Sequence, residues 1–330
     1  MEIGWLSDYS TDNFQGGASL TNEQLINEGK KRGHEIIFQE YKTFNQEDLK
    51  DTDLIVLTNI NLFQKKDIEW VINNKPFVKY EHDYCFCRFR NVRCGELCKI
   101  KCRPVEIFQS MFGRSKLNIF MSKLQLDIYK KFFNNIMFRD AKVIPPPIQT
   151  DRFFPDDNVR EPKTALYLGL ISEHKGIFEI ISKAKQLKQK GFKVDFAGRI
   201  VHEKIKQMIE EEFNYIGEIP HDQVPNLMRR YNFFLIAPKM RETFGITKLE
   251  AELSGCEIIR INDVPLGIES YNKNIQEIKA LCDNAHNVWW EEIEKIENKF
   301  IINYCNKCNQ MTNHKYVKTK LICQKCKVEK

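Results

Sequence analysis

The chain has 330 residues, 42% apolar and 29% charged, with a formal charge of +6. These values exclude wholesale disorder and predict two domains with an appendage. No run approaches the roughly 18 apolar residues of a membrane span. The first residues, MEIGWLSDYS, lack the basic start and apolar core of a secretory signal, so a cytoplasmic protein is expected.

In chain order, EIGWLS (residues 2–7) reads as a first strand, followed by a polar loop ending at Gly16-Gly17. A helix over about residues 20–31 stops at Gly33, and HEIIFQE opens the next strand. TDLIVLTNI is a continuous apolar strand, the pattern of a parallel sheet covered on both faces. FVKYEHDY ends a further strand at His82 and Asp83, and KLNIFMSKLQLDIYKKFF reads as strand, turn at Ser122, then helix. Prolines 145–147 cannot continue a helix or a central strand and mark a hinge or linker. The alternation then restarts. TALYLGLI, KVDFAGRI, FNYIGEI, FFLIAP and CEIIRI read as strands, with helices over 177–190, around 202–212, from about 222 and over 246–254. NVWWEEIEKIENKF is a last helix, with Trp289 and Trp290 available to dock it. Two successive arrays predict an α/β fold of two doubly wound, Rossmann-like domains facing a cleft, residues 1–150 and 151–300, plus a small module over 301–330.

In such sheets ligands sit at the C-terminal strand ends. Gly169 ends one strand, Lys175-Gly176 open the helix after it, and Gly198-Arg199 end the next strand. A lysine at a helix N-terminus adds to an electropositive site suited to a diphosphate. Glu242 follows a strand directly, and Thr243-Phe244-Gly245 can present backbone N–H groups to phosphate oxygens. Glu250 lies about two turns into the following helix, so the two carboxylates can accept hydrogen bonds from different hydroxyls of one ligand. Read singly, these are solvated charges, His82 is a structural histidine and Gly16-Gly17 is a turn.

Their order along the chain resembles the retaining GT-B glycosyltransferases, particularly the large family-four group that uses nucleotide-activated sugars. ETFGITKLEAELSGCEII fits that group's paired-glutamate motif, and GLISEHKG, VDFAGR, YIGEIPHDQVPNLMRRYNFFLIAP and PLGIE match around it. GGASLTNEQLINEGKKRGHEI, YEHDY, FMSKLQLDIY and VIPPPIQTDRFFP agree in the first half, so the resemblance covers roughly residues 1–285. It implies that Glu242 contacts the transferred sugar, Glu250 the nucleotide ribose, and Lys175 the diphosphate. His82 would reach the sugar across the cleft, and Gly16 and Gly17 would let the backbone approach the donor phosphate. Gly169, Arg199, Thr243, Phe244 and Gly245 complete the implied donor site for a UDP- or GDP-sugar. Leu170 stands where the group commonly has an arginine, with Arg199 and Arg241 as its substitutes. The resemblance implies no catalytic metal and no protein nucleophile.

Eleven cysteines are many for a cytosolic enzyme. Cys305, Cys308, Cys323 and Cys326 form CxxC, fourteen residues, CxxC, the spacing of a zinc ribbon whose four thiolates close a structural Zn²⁺ site. Cys85, Cys87, Cys94, Cys98 and Cys102 are candidates for a second zinc, the alternative being a cluster of reduced buried thiols. Residues 299–330 hold eight lysines against Glu329, a net +7, so the rest of the chain carries −1. That asymmetry points to a nucleic-acid partner for the ribbon, or to a lysine-coated solubilising cap.

The expected function is therefore a retaining transfer of sugar from a nucleotide sugar to an acceptor hydroxyl. The acceptor is a modified DNA or tRNA base, or alternatively a glycan or small metabolite. From another class, the alternative is a non-catalytic nucleic-acid-binding protein on the same scaffold.

Overall fold

A computed structural model of the chain describes residues 1–14, 16–87, 105–133, 138, 140–299, 302–305, 310–317 and 320–323. For residues 105–106, 297–299 and the last three segments it describes the backbone alone. Among the described residues the first lobe is built on six parallel strands: β1 (Glu2–Ser7), β2 (Glu35–Glu40), β3 (Leu54–Leu57), β4 (Phe77–Glu81), β5 (Asn118–Phe120) and β6 (Ala141–Val143). They run in the order β2-β1-β3-β4-β5-β6, with α1 (Gly17–Lys31), α2 (Lys65–Asn74), α3 (Val105–Arg114) and α4 (Lys123–Phe132) between them. The second lobe holds β7 (Glu161–Leu168), β8 (Lys193–Ala197), β9 (Asn214–Gly217), β10 (Tyr231–Ile236) and β11 (Glu257–Arg260), also parallel, in the order β11-β10-β7-β8-β9. Its helices are α5 (Ile177–Gln189), α6 (Glu203–Glu210), α7 (Val224–Met228), α8 (Ile246–Leu253), α9 (Ile275–Asp283) and α10 (Ala285–Lys299). The expected pair of doubly wound sheets is therefore present.

The strands are apolar because helices cover both faces: all four residues of β3, LIVL, are buried. β4 is the exception in chemistry. Its Lys79 and Glu81 are 0% and 1% exposed and pair at 3.0 Å, and Lys79 Nζ also donates to the carbonyls of Thr58 and Tyr80 at 2.6 and 3.1 Å. Burial pushes the Glu81 carboxyl above its ordinary value against the pull of Lys79. The pair ties the C-terminal end of β4, where His82 follows, to the neighbouring strand.

Helix α1 starts at Gly17, three residues before the expected start. Ser19 Oγ accepts the Gly16 N–H at 3.0 Å and donates to the Phe14 carbonyl at 2.6 Å, so a side-chain clasp sets the start ahead of the first apolar residue. Three helices, α2, α3 and α9, were not anticipated from the sequence. For α9 the signal was present: Asn274 accepts from the N–H groups of Gln276 and Glu277, and Glu277 returns a bond to the Asn274 N–H. The segment around prolines 145–147 is buried, with Ile144 and Ile148 in a core shared by both lobes. It is a packed connector.

The chain returns to the first lobe through α10, within the segment expected to form the donor domain. Trp289 and Trp290 are fully buried, and Trp290 Nε1 donates to the Leu25 carbonyl of α1 at 2.9 Å. Trp289 packs on Trp5 of β1 with ring centroids 5.3 Å apart, and Trp290 stacks on His34 at 4.8 Å. Gly29 must lack a side chain, because a Cβ there would lie 2.1 Å from the Trp290 ring.

At the C-terminus, β12 (Ile302–Cys305), β13 (Gln310–Val317) and β14 (Lys320–Cys323) form an antiparallel sheet with β13 central. Cys305 pairs with Gln310, and Cys323 with His314. Cys94, Cys98, Cys102, Cys308 and Cys326 lie outside the described residues. No helix among the described residues is long and apolar enough to cross a membrane.

Replacing Trp290 by alanine should cost about 3–5 kcal/mol of stability, because it removes a fully buried indole and its hydrogen bond. Chemical denaturation monitored by fluorescence measures the loss; a change below about 1 kcal/mol would contradict the packing role.

Candidate active site

The strand order of the second sheet reverses between β7 and β10, and their C-terminal ends open there into a crevice. The residues after β7 supply Lys175 and those after β10 supply Glu242. Although 67 positions apart, Lys175 Nζ donates to Glu242 Oε1 at 2.6 Å, with side chains 28% and 19% exposed. The pair lines a cavity of about 800 Å³ between the lobes.

Glycines make the strand ends fit. Gly176, at φ 75°, precedes α5, and a Cβ there would lie 1.8 Å from the Ala237 carbonyl oxygen. Gly169 and Gly198 stack across β7 and β8, where a Cβ on Gly198 would lie 2.0 Å from the Gly169 carbonyl. Gly245 precedes α8 at φ 107°, and no side chain caps that helix. The first-turn backbone N–H groups therefore lack a side-chain cap, and Gly245, Ile246, Thr247 and Lys248 line the cavity wall. The Glu242 backbone is fixed by the Gly267 N–H, which donates to its carbonyl at 2.9 Å, and Ile268 does the same for Phe244 at 2.7 Å. A side chain on Gly267 would strike the Thr243 carbonyl. Glu250, 2% exposed, turns from α8 toward the cavity, and its Oε1 lies 2.9 Å from His221 Nε2.

The first lobe supplies the opposite wall. Thr243 Oγ1 donates across the cleft to the His82 carbonyl at 2.9 Å. The His82 ring is held by Asn22, whose Oδ1 lies 3.0 Å from Nε2. Thr58 Oγ1 donates to the Leu6 carbonyl and so presents a lone pair to Asn22 Nδ2. That leaves Asn22 Oδ1 to accept, and places the proton of His82 on Nε2. Gly17 faces the second lobe, a Cβ there lying 3.1 Å from Ile246. A Cβ on Gly16 would lie 2.6 Å from the Phe14 ring, so this glycine lets Phe14 fold back. Arg199 reaches across the cleft to Phe14, with its Cζ 5.6 Å from the ring centroid. The loop bearing Phe14 is tied down by Glu40, which accepts from the Ser10 N–H at 2.6 Å and from Asn13 Nδ2 at 2.8 Å. Burial raises the Glu40 carboxyl, but those bonds outweigh it and leave the group below its ordinary value.

The structure thus gathers Gly16, Gly17, His82, Gly169, Lys175, Arg199, Thr243, Phe244, Gly245 and Glu250 with Glu242 around one cavity. Leu170 lines it as well, whereas Arg241 is not among the lining residues. Sequence reasoning passed over Asn22, His221 and Gly267, all within stretches quoted for the resemblance. Phe14 and Glu40 had no local signal, since their partners come from other elements.

Of the five cysteines expected to offer a second zinc site, Cys85 and Cys87 alone lie among the described residues. Both are free and buried in the aromatic core of the first lobe. The Cys85 N–H donates to the Tyr129 hydroxyl at 3.0 Å, and burial pushes the Cys85 thiol well above its ordinary value. Among the described residues no group of three or more His, Cys, Asp or Glu is arranged to hold a metal ion.

The family model for glycosyl transferases group 1 matches residues 149–316, more than half of the chain. The chain belongs to that family. No curated protein matches this glycosyltransferase in sequence. Solved structures of similar fold include sucrose-phosphate synthase from Thermosynechococcus elongatus, with TM-score 0.60 and 15% identity over 87% of this chain and 93% of that one. HepE from Anabaena, solved with UDP and glucose, aligns at TM-score 0.58 and 13% identity over 87% and 94% of the two chains. An alpha-glucosyltransferase solved with UDP and a 13-mer DNA containing an HMU base aligns at 0.53 and 13% over 87% and 93%. At such identities the likeness is one of fold.

The lowered Glu40 carboxyl makes the loop tie a contribution present above the ordinary value of 4.5 and lost as pH falls through the lowered folded value. In an acid titration followed by NMR, the Asn13 side-chain amide should shift with a midpoint below 4.5. A midpoint at or above that value refutes the tie.

Proposed function

We propose that the protein is a retaining glycosyltransferase moving a sugar from a nucleoside diphosphate sugar, UDP- or GDP-linked, to an acceptor hydroxyl. The observation that carries this reading is the Lys175–Glu242 pair at the crevice between β7 and β10, beside the uncapped N-terminus of α8. In the reading, the donor diphosphate takes Lys175 and the first-turn N–H groups of α8, and Glu242 turns to the hydroxyls of the sugar. Glu250 accepts from the ribose. Arg199 supplies the second cation where Leu170 stands. His82 meets the sugar from the first lobe.

The bond from the sugar's anomeric carbon to the diphosphate oxygen breaks, and the acceptor oxygen bonds to that carbon from the same face. The acceptor proton passes to the departing diphosphate, so configuration is kept. Lys175 and the dipole of α8 stabilise the charge that grows on the leaving group. The lobes position the reactants and exclude water.

For the acceptor, the net +7 of residues 299–330 supports a nucleic acid bearing a modified base. A second reading, a glycan or small polyol, is favoured by the first-lobe wall of the cavity. Among its described residues that wall carries Asp12 and Asp83 and no lysine or arginine, which suits hydroxyl groups better than phosphates. For the tail we propose a structural zinc held by Cys305, Cys308, Cys323 and Cys326. Cys305 closes β12 and Cys323 closes β14, so each CxxC begins at a strand end, as a ribbon knuckle requires. Bound zinc would supply folding energy to a module with little core.

A mass-spectrometric screen of UDP- and GDP-sugars against hydroxymethylated DNA, tRNA and simple glycans tests the reading, with NMR of the product expected to show retained configuration. Lys175→Met should lower kcat/KM by about 100-fold or more. No turnover with any donor, together with indifference of nucleotide binding to Glu242→Ala and Lys175→Met, would favour the non-catalytic alternative. Deleting residues 301–330 should abolish DNA or RNA affinity if the tail recruits nucleic acid; unchanged affinity removes that acceptor reading's main support.

A further inference from the structure

We propose that His221 is a positioning residue for donor binding: it holds the carboxylate of Glu250 so that the second oxygen faces the cavity. The proposal rests on the reading of Glu250 as the ribose ligand. The Glu250 side chain is 3% exposed, and His221 Nε2, 2.9 Å from Oε1, is its one hydrogen-bond partner among the described residues. A carboxylate so far from water is costly unless it is hydrogen-bonded. Oε1 can only accept, so the proton lies on His221 Nε2 whether the ring is neutral or charged. The bond therefore does not depend on protonating the imidazole.

His221 is itself held in place. It lies on the loop between β9 and α7, where its carbonyl accepts from the Val224 N–H at 3.3 Å and from the Arg152 guanidinium at 3.4 Å. The Pro220 carbonyl accepts from the Gln223 N–H at 2.9 Å and closes the turn. The Phe153 ring lies beside the imidazole, with centroids 6.3 Å apart. A rigid loop thus presents a fixed donor to a carboxylate carried by a different element. With Oε1 occupied, rotation of the Glu250 side chain is stopped, and the remaining oxygen keeps one direction. Glu250 is the fifth residue of α8, just over one turn in, whereas Glu242 lies in the loop before that helix, so His221 acts on binding of the nucleotide and not on the breaking bond.

The experiment uses the full chain, isothermal titration with UDP and GDP, and steady-state kinetics with the donor found to be turned over. His221→Leu removes the donor group, His221→Gln keeps an N–H near the position of Nε2, and Glu250→Gln reports the ribose contact itself. His221→Leu should raise donor KM and nucleotide Kd about tenfold, with kcat changed less than about threefold. His221→Gln should restore both to within about threefold of the wild-type chain. Should the leucine variant melt early, His221→Phe gives a second ring without a donor. Nucleotide binding that Glu250→Gln weakens and His221→Leu leaves unchanged overturns this proposal alone, as does a fall in kcat at constant KM. A wild-type chain that binds neither UDP nor GDP overturns the nucleotide-sugar reading, and this proposal with it.

Discussion

The cleft depends on one packing contact, the seating of Trp290 on α1. Two parallel sheets, each complete in itself, have no intrinsic reason to face each other at a fixed angle. Helix α10 supplies it by crossing back and placing two buried indoles against Trp5, His34 and the bare backbone of Gly29. On the other flank, Tyr271 donates to the Met121 carbonyl at 2.7 Å, and Ser270 accepts the Leu124 N–H at 3.2 Å. With both flanks tied, Gly17 meets Ile246, Thr243 meets His82 and Arg199 meets Phe14. Each of those contacts joins the two lobes.

Within that frame the chemistry concentrates where strand order reverses. The two neighbours of β7 lie on opposite sides of it, and the segments after β7 and β10 part there to leave the crevice. Lys175 and Glu242 fall on those loops and satisfy each other in a cleft that is partly dry. A ligand offering an anion to one and hydroxyls to the other exchanges like for like, so the site pays little reorganisation on filling. The glycines at 169, 176, 198 and 245 serve the same end. Their positive φ values and the close carbonyls around Gly176 and Gly198 allow strand ends to bend away from the sheet without a side chain in the way.

Much of this was legible in order and spacing. The alternation of apolar runs with amphipathic stretches marked both sheets, because parallel strands buried on both faces need continuous apolar residues. The site residues were legible because each sits at a strand end or a helix start, positions that turn residues announce locally. What escaped had no local announcement. Glu40 and Asn13 are 27 positions apart, and Phe14 meets an arginine 185 residues on only because two lobes close. Cys85 and Cys87 crowd with basic residues in sequence, yet the fold buries both among Phe86, Phe112 and Tyr129.

Sequence alone determined the two-lobed α/β architecture, the strand-end segments that carry Lys175 and Glu242, the helix that carries Glu250, and the cysteine spacing of the tail. These follow from periodicity and turn chemistry, which act over a few residues. Tertiary structure alone decided that α10 belongs against the first lobe, that Lys175 pairs with Glu242, and that His221 holds Glu250. Those outcomes are distances between groups far apart in the chain. They depend on how buried surfaces fit, and no local pattern encodes that fit.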